Sequence, residues 1–255
     1  MGAYIFFLLM VVVGWLAQFV DGTLGMGYGV FSTSLLVAVG LAPAIASASV
    51  HTAEIVSTLV SGVSHHYFGN VKKAIFLPLV IPGMIGAVAG AYLLASIPGK
   101  TIKPYVAVLL LAMGCLVLYR FLRKSSHEPQ EQLPAWRISL LGLVAGFLDA
   151  LGGGGWGPVA TPSLILGGNG HPNEVVGSVN AAEFFVTVAA VVTFLFTIGA
   201  ENFNWTVVLA MLIGGAIAAP IGAWVCKKLP HRVLGFAIGA LLVALNLRTV
   251  ILAWL

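Results

Sequence analysis

The amino-acid sequence predicts an all-helical integral membrane protein made of two repeat-related halves. Composition is the first reason, because 60% of the 255 residues are apolar and 8% are charged, whereas water-soluble domains contain about 25% charged residues. The second is the 31 glycines, which exceed the usual fraction of about 7% and suit helices that pack closely in lipid. The third is a set of motifs that recurs after a polar segment. Soluble enzymes, nucleic-acid-binding proteins and secreted disulfide scaffolds are excluded.

Ten apolar segments follow one another along the chain, and the longer ones are candidate membrane helices. The first segment has no basic leader and no cleavage motif, so we expect it to remain as a membrane segment. The segments divide the chain into a first repeat at 1–123, a polar cytoplasmic linker at 124–135 and a second repeat at 136–255. They lie at 4–20, 27–41, 43–65, 74–96, 102–121, 136–148, 155–166, 174–198, 205–226 and 233–254.

Three pairs of motifs define the repeat. DGTLGMGYG, which begins at Asp21, aligns with DALGGGGWGP, which begins at Asp149. SVHTAE at 49–54 aligns with SVNAAE at 178–183, and GAYLLASIP aligns with GAWVCKKLP later in each half. A weak but regular internal symmetry of this kind is typical of the halves of membrane transporters.

The pieces that flank each aspartate decide the orientation of the halves. These pieces are short for a membrane span, which needs roughly 17–25 residues. If each pair forms a hairpin, the halves are inverted; if each pair is one broken helix, they are parallel. Hairpins place nine basic residues on one face and three on the other, which fits the rule that basic loops are cytoplasmic. The sequence therefore favours inverted halves, with both termini outside the cytoplasm. The nine are Lys72, Lys73, Arg120, Arg123, Lys124, Arg137, Lys227, Lys228 and Arg232, and the three are Lys100, Lys103 and Arg248.

Four acidic residues lie within or at the breaks of apolar segments: Asp21, Glu54, Asp149 and Glu183. A carboxylate at bilayer depth costs about 2.5 kcal/mol or more, so each should face a cavity, accept hydrogen bonds or carry a proton. Asp21 and Asp149 can cap the helix that follows, take part directly in transport, or do both. Glu54 and Glu183 are the candidates for carrying a coupled proton.

The two glycine-rich runs are candidate binding elements. A broken backbone is tolerated in lipid only where it is buried in protein or lines a cavity. The helix that follows each run directs its amide groups and the positive end of its dipole toward the break, which favours a bound oxyanion. Two such ends that meet at mid-membrane would bind an anion without lysine or arginine; close helix packing through glycine is the alternative. The candidates are Gly25, Gly27, Gly29, Gly153, Gly155 and Gly157, with Tyr28 and Trp156 as aromatic walls.

A polar stripe accompanies each break. His51 and Glu54 are three residues apart and share a helix face, and Asn180 and Glu183 repeat the spacing in the second half. Because asparagine is a poor metal ligand, neither a metal site nor a cofactor is expected. We expect this stripe to face the substrate, with hydrogen bonding between helices as the alternative. Its candidate substrate-binding residues are Ser49, His51, Ser178 and Asn180, together with Asp21 and Asp149.

On these motifs the chain resembles the TauE/SafE family of sulfite-exporter-like membrane proteins. The resemblance covers nearly the whole chain and includes PAIASASV and PNEVVGSV, which precede the polar positions of the two stripes. It implies a multi-pass protein of the bacterial inner membrane, with about eight spans, that exports sulfite or an organosulfonate such as sulfoacetate. It also implies that the aspartates, glycines and stripe residues of both halves form the site.

The function expected from the sequence is export of a small sulfur-containing anion by alternating access, without enzymatic activity. The expected partners are the anion, the lipid bilayer and protons; a homo-oligomer is allowed, and nucleic acid is not expected. One alternative is a cation or metal-ion carrier that uses the four acids, and another is a channel. A third is an intramembrane hydrolase built on Ser49 or Ser178 with His51, although the chain lacks a GxSxG-type motif.

Overall fold

Ten α-helices make up most of the computed structural model, which describes residues 2–122, 132–226 and 231–254. The described residues contain no strand, and the prediction of an all-helical protein is confirmed. Most of the predicted linker and the lysines Lys227 and Lys228 lie outside the described residues. The helices are α1 Ala3–Leu24, α2 Tyr28–Ala38, α3 Pro43–Tyr67, α4 Lys73–Ser96, α5 Gly99–Leu122, α6 Ala135–Gly152, α7 Trp156–Leu166, α8 Pro172–Thr197, α9 Trp205–Val225 and α10 His231–Trp254.

Six of the described helices are long and apolar enough to cross a membrane: α1, α4, α5, α6, α8 and α9. Helix α3 has 25 residues but carries many serine, threonine and histidine side chains. Its His51, Glu54 and Ser57 are buried inside the protein, so its polar face does not contact lipid. A multi-pass membrane protein is therefore the architecture that these helices form.

Small residues bring the long helices together in pairs. Helix α4 exposes Leu77 and Ile81 on its outer surface, while its Gly83 lies against Gly146 of α6. In the same way Gly22 of α1 lies against Gly222 of α9. Lipid is as apolar as leucine, so helix association in a membrane depends on close backbone approach, which glycine permits.

The short helices α2 and α7 run back along the long helices that precede them. Helix α1 is parallel to α9, since Gly14 lies against Met211 and Gly22 against Gly222. Helix α2 nevertheless ends beside the start of α9, where residues 39–42 and 202–206 line a common cavity. Helix α7 likewise ends beside the start of α6, because Gly167 packs against Leu133. Each pair is a hairpin with one long arm and one arm of 11 residues.

The long arms of the hairpins are longer than the sequence indicated. We expected the pieces beside each aspartate to be at or below the length of a membrane span, but α1 has 22 residues and α6 has 18. The prediction was wrong because the apolar segments were ended at the aspartates. Asp21 and Asp149 instead lie inside the last turns of α1 and α6. Their backbone carbonyls accept hydrogen bonds from the amides of Gly25 and Gly153, respectively.

Candidate functional site

Two glycines end the long arms of the hairpins in the left-handed conformation. Gly25 has φ of 67° and Gly153 has φ of 70°, values that residues with a Cβ adopt only with strain. Gly27, with φ of 130°, comes directly before α2, and Gly155 comes directly before α7. These glycines allow the chain to reverse within two or three residues.

The two breaks lie against each other in the interior. A Cβ on Gly29, in the first turn of α2, would stand 2.7 Å from Cα of Gly154. A Cβ on Gly157, in the first turn of α7, would stand 2.5 Å from Cα of Met26. Each helix N-terminus therefore packs on the break of the other hairpin, and the predicted glycines of both halves share one buried region.

Two threonines that the sequence analysis did not single out tie the breaks together. The Thr33 hydroxyl donates to the carbonyl of Gly153 at 2.8 Å, and the Thr161 hydroxyl donates to the carbonyl of Gly25. The residues are 128 positions apart, the same separation as Asp21 and Asp149. That matched spacing is the signal in the sequence that could have found them.

Asp149 connects α6 to both α7 and α3. Its Oδ1 accepts the backbone amide of Trp156 at 3.1 Å, and its Oδ2 lies 3.0 Å from Nε2 of His51. The first contact satisfies an amide that has no acceptor within α7. Asp149 therefore caps α7 and pairs with the predicted polar stripe.

Asp21 occupies the corresponding place in the first hairpin. Its carboxyl group lies near the backbone amide of Tyr28 and the side chains of Asn180 and Glu183. Unlike Asp149, it keeps an oxygen, Oδ2, that is buried without a hydrogen bond. The two aspartates thus share the capping role but differ in how well their oxygens are satisfied.

The four predicted acids form one buried group. Glu54 is near enough to Asp149 and Asp21 to interact with them electrostatically, and Glu183 is near enough to interact with all three of the other acids. Each of the four has an exposed fraction of 4% or less. Glu54 Oε1 and Glu183 Oε2 have no hydrogen-bond partner. The lysines and arginines whose side chains are described are all exposed or half-buried, and His51 is a basic side chain in contact with one of these acids, Asp149.

Asn180, the counterpart of His51, is only half satisfied. Its Oδ1 accepts the Ser61 hydroxyl at 2.7 Å, but its Nδ2 is buried without a partner. Gln18, one helical turn before Asp21, also has both amide atoms buried and unpartnered. Neither Ser61 nor Gln18 was singled out from the sequence, because neither has a polar counterpart at the matched position of the second half.

The two aromatic residues of the breaks are packed against helices. The Trp156 ring packs against Gly83, so closely that a Cβ on Gly83 would touch it. Its indole Nε1 donates a hydrogen bond to the carbonyl of Val179 at 3.0 Å. The Tyr28 ring lies beside Gly215 of α9. Both side chains are completely buried.

The structure places the Ser49 and Ser178 hydroxyls at the starts of two long helices. The Ser178 hydroxyl accepts a hydrogen bond from the backbone amide of Lys72 at 2.7 Å, and the Ser49 hydroxyl accepts one from the backbone amide of Asn204 at 3.0 Å. Lys72 and Asn204 directly precede α4 and α9. Both serines therefore hold the start of a long helix, and they are not among the groups that meet at the breaks.

Alanine at Ser178 or Ser49 is expected to lower the free energy of unfolding by about 1 kcal/mol, the usual cost of losing one such hydrogen bond. Thermal unfolding of each purified variant in detergent measures the change. The apparent affinity for an added anion should equal that of the unchanged protein. A tenfold weaker affinity with unchanged stability would instead place the serine in a binding site.

The Ser47, His51 and Asp149 side chains form a chain of contacts that resembles a hydrolase triad. The Ser47 hydroxyl lies 3.3 Å from His51 Nδ1, but it donates to the carbonyl of Ala150 at 2.9 Å. His51 Nδ1 also lies 2.8 Å from the Ser47 carbonyl, which can only accept, so Nδ1 carries a hydrogen. A nitrogen that already carries a hydrogen cannot take the serine proton. This geometry does not prepare Ser47 for nucleophilic attack.

Two further observations bear on what the site can hold. Among the residues that the structure describes, no three histidine, cysteine, aspartate or glutamate side chains are grouped so as to bind a metal ion. A cavity of about 680 Å³ lies at the face where α2 ends and α9 begins. Its lining residues, 39–42, Ile45 and 202–206, include none of the break residues.

Comparison with known proteins agrees with this architecture. The chain is 47% identical over 252 residues to the probable membrane transporter protein YtnM of Bacillus subtilis (strain 168), and the match covers 95% of this chain and 82% of that protein. No solved structure matches the chain. The sequence profile described as "Sulfite exporter TauE/SafE" matches residues 10–249. The chain therefore belongs to the TauE/SafE family of membrane transporters.

Proposed function

We propose that this transporter exports a small sulfite-like or organosulfonate anion across the bacterial inner membrane by alternating access. The observation that carries the proposal is the meeting of two helix N-termini in the interior, where Gly29 of α2 packs on Gly154 and Gly157 of α7 packs on Met26. Amides in the first turn of a helix have no acceptor within that helix. Such amides and the positive ends of the helix dipoles favour an oxyanion.

Neutral donors near Asp21 add to this arrangement. Asn180 Nδ2 is buried without a hydrogen bond, as is the amide group of Gln18. A buried donor without an acceptor is costly, so a bound acceptor at this position stabilises the protein. A sulfonate or sulfite oxygen is an acceptor of the required kind. Ser49 and Ser178 are left out of the proposed site because each binds a helix start.

The proposal also includes the binding of protons, because acidic side chains are buried near the proposed anion site. An anion is repelled by ionised carboxylates, whereas a protonated carboxyl group can donate a hydrogen bond to it. Glu54 and Glu183 each keep one buried oxygen without a partner. We propose that they bind protons when the anion is bound. For each net negative charge that moves, the membrane potential favours export by about 2.3 kcal/mol per 100 mV.

Alternating access is supported by the way the halves are packed. Helix α1 packs on α9, and α6, which follows the linker, packs on α4 in the same manner. Helices α3 and α8, one from each half, pack on each other, and a Cβ on Gly62 would stand 3.2 Å from Cα of Ala181. Inverted halves that exchange contacts in this way can rock about a central site. The loop that contains Lys72 lies beside Asn169. The Asn169 side chain in turn binds Leu133 at the end of the linker. The basic loop and the linker therefore lie on the same face, as expected of a cytoplasmic face.

Flux measurements on purified protein in liposomes test the proposal. Vesicles loaded with sulfite should release it at a rate that saturates with concentration, and sulfoacetate or thiosulfate added inside should compete. Thermal unfolding with sulfite, sulfate, thiosulfate, sulfoacetate and taurine identifies the preferred anion, because a ligand of the folded state raises stability. A flux that rises linearly without saturation indicates a channel. No flux and no stabilisation with any of these compounds contradicts the proposed function.

Leucine at Asn180 is expected to raise the KM for the exported anion about tenfold or more, because one hydrogen bond to a charged ligand contributes about 1.5–3 kcal/mol. Initial rates of efflux measure the change. Asn173→Leu is a matched control on the same helix, since Asn173 binds Asn70 at the helix start. An equal KM in the Asn180→Leu variant and in the unchanged protein would remove Asn180 from the site.

One alternative is favoured by the four buried acids, which could bind a cation. The double substitution Glu54→Gln with Glu183→Gln separates the two functions. If the protein transports an anion, the stabilisation by the preferred anion should differ between this variant and the unchanged protein. Loss of stabilisation by a cation, with stabilisation by the anion intact, favours the cation carrier.

A further inference from the structure

The hydrogen-bonding pattern of His51 locates a proton. His51 Nδ1 lies 2.8 Å from the carbonyl oxygen of Ser47. A carbonyl oxygen only accepts hydrogen bonds, so Nδ1 carries a hydrogen. The other ring nitrogen, Nε2, lies 3.0 Å from Asp149 Oδ2. A neutral ring with hydrogen on Nδ1 has a lone pair on Nε2, and a lone pair cannot bond to an ionised carboxylate.

One additional proton therefore lies between His51 and Asp149. It is either on Nε2, which makes an imidazolium beside a carboxylate, or on Oδ2, which makes a carboxylic acid beside a neutral ring. In both forms the pair is neutral. Removal of the proton leaves two acceptors facing each other and a net charge of −1, in a place where the pair is almost completely buried.

The position that corresponds to His51 in the other half carries an amide in place of the imidazole. Asp21 lies there beside Asn180 and Glu183, and the amide of Asn180 does not take up protons near neutral pH. The matched motifs SVHTAE and SVNAAE differ at this place, with His51 in one and Asn180 in the other. A histidine therefore occupies the matched position in one half, and a neutral amide occupies it in the other.

We propose that His51 and Asp149 form a further proton-binding site of this transporter, in addition to Glu54 and Glu183, and that the pair takes up its proton together with the anion. The inference rests on the proposed function and assigns the coupled proton to a specific bond. The neutral pair admits an anion to the N-terminus of α7, which Asp149 caps through Trp156, whereas the deprotonated pair repels it. By thermodynamic reciprocity, anion binding and proton binding strengthen each other.

The surroundings allow the pair to respond to charge. The titratable side chains that face it are Glu54 of α3, Asp21 of α1 and Glu183 of α8, with Tyr28 of α2 next to Glu54. Helices α7 and α9 contain no titratable side chain. The described titratable side chains of α4 and α5 are exposed or half-buried. None of these residues carries a fixed positive charge, so an arriving anion changes the local charge balance.

Asp149→Asn is the sharpest test because it keeps both hydrogen bonds. Asparagine Oδ1 can accept the Trp156 amide, and its Nδ2 can donate to the lone pair of His51 Nε2, but the pair no longer exchanges a proton. His51→Asn is the second variant. It introduces the residue that occupies the matched position, Asn180, near Asp21. His66→Asn makes the same change at an exposed position on the same helix and is the matched control.

The measurement is the number of protons taken up per sulfite bound, from calorimetry of purified protein in buffers of different ionisation enthalpy. Protons that belong to sulfite itself cancel between variants. We expect about one proton fewer in Asp149→Asn and in His51→Asn than in the unchanged protein and in His66→Asn. Equal proton numbers in all four proteins would overturn the inference while leaving the proposed function intact. No binding by the unchanged protein would overturn the proposed function itself, and the inference with it.

Discussion

Replacing Gly29 by alanine is expected to abolish transport and to destabilise the protein. The added Cβ would stand 2.5 Å from the carbonyl oxygen of Gly153 and 2.7 Å from Cα of Gly154. Both contacts are with backbone, which cannot move aside as a flexible side chain can. Overpacking of this kind costs about 1–3 kcal/mol, and here it also separates the two breaks that form the proposed site.

Efflux from liposomes and thermal unfolding in detergent measure the two effects of Gly29→Ala. Gly99→Ala is the matched control, because the added methyl group would lie 3.4 Å from the Ala42 side chain, an ordinary contact. The control should transport at the normal rate. If Gly29→Ala transports as fast as this control, close contact between the breaks is not needed for function.

Alanine at Asp149 is expected to give the largest loss of stability among single substitutions at the site. It removes both the acceptor of the Trp156 amide and the partner of His51. Breaking a buried pair from one side costs about 3–5 kcal/mol, since the remaining group stays buried without a partner. The variant should unfold at a much lower temperature and should not transport.

The contrast with Asp149→Asn separates hydrogen bonding from proton exchange. Asparagine keeps both contacts, so its unfolding temperature should stay near that of the unchanged protein while proton uptake is lost. Asp149→Ala should lose stability and transport together. Equal destabilisation by asparagine and alanine would show that the negative charge, and not the hydrogen bonds, holds the break in place.

The fold class was predictable because composition is a local property. A chain with 8% charged residues cannot cover its surface in water, and the longer apolar segments have the length of a helix in lipid. All ten predicted segments correspond to helices in the described residues. The ends of α1 and α6 were misplaced because an aspartate inside a membrane helix looks like a helix end when its hydrogen-bond partners are not known.

The members of the site were partly predictable. The repeat singled out the four acids, His51 and Asn180, and the structure brings them together in one buried region. Ser49 and Ser178 were placed on the same stripe because helix position alone does not tell which neighbour a side chain reaches. Gln18 and Ser61 were missed because they have no polar counterpart in the other half.

By itself, the sequence determined the lipid environment, the helical segments, the two glycine breaks and the acids beside them. These follow from composition and from spacing within short stretches of chain. Only the tertiary structure decided that His51 pairs with Asp149, 98 residues away, and that each short helix packs on the opposite break. The physical reason is that most faces of a membrane helix are apolar, so hydrophobic periodicity does not mark the face that points inward. Which helices contact each other depends on close packing between distant segments.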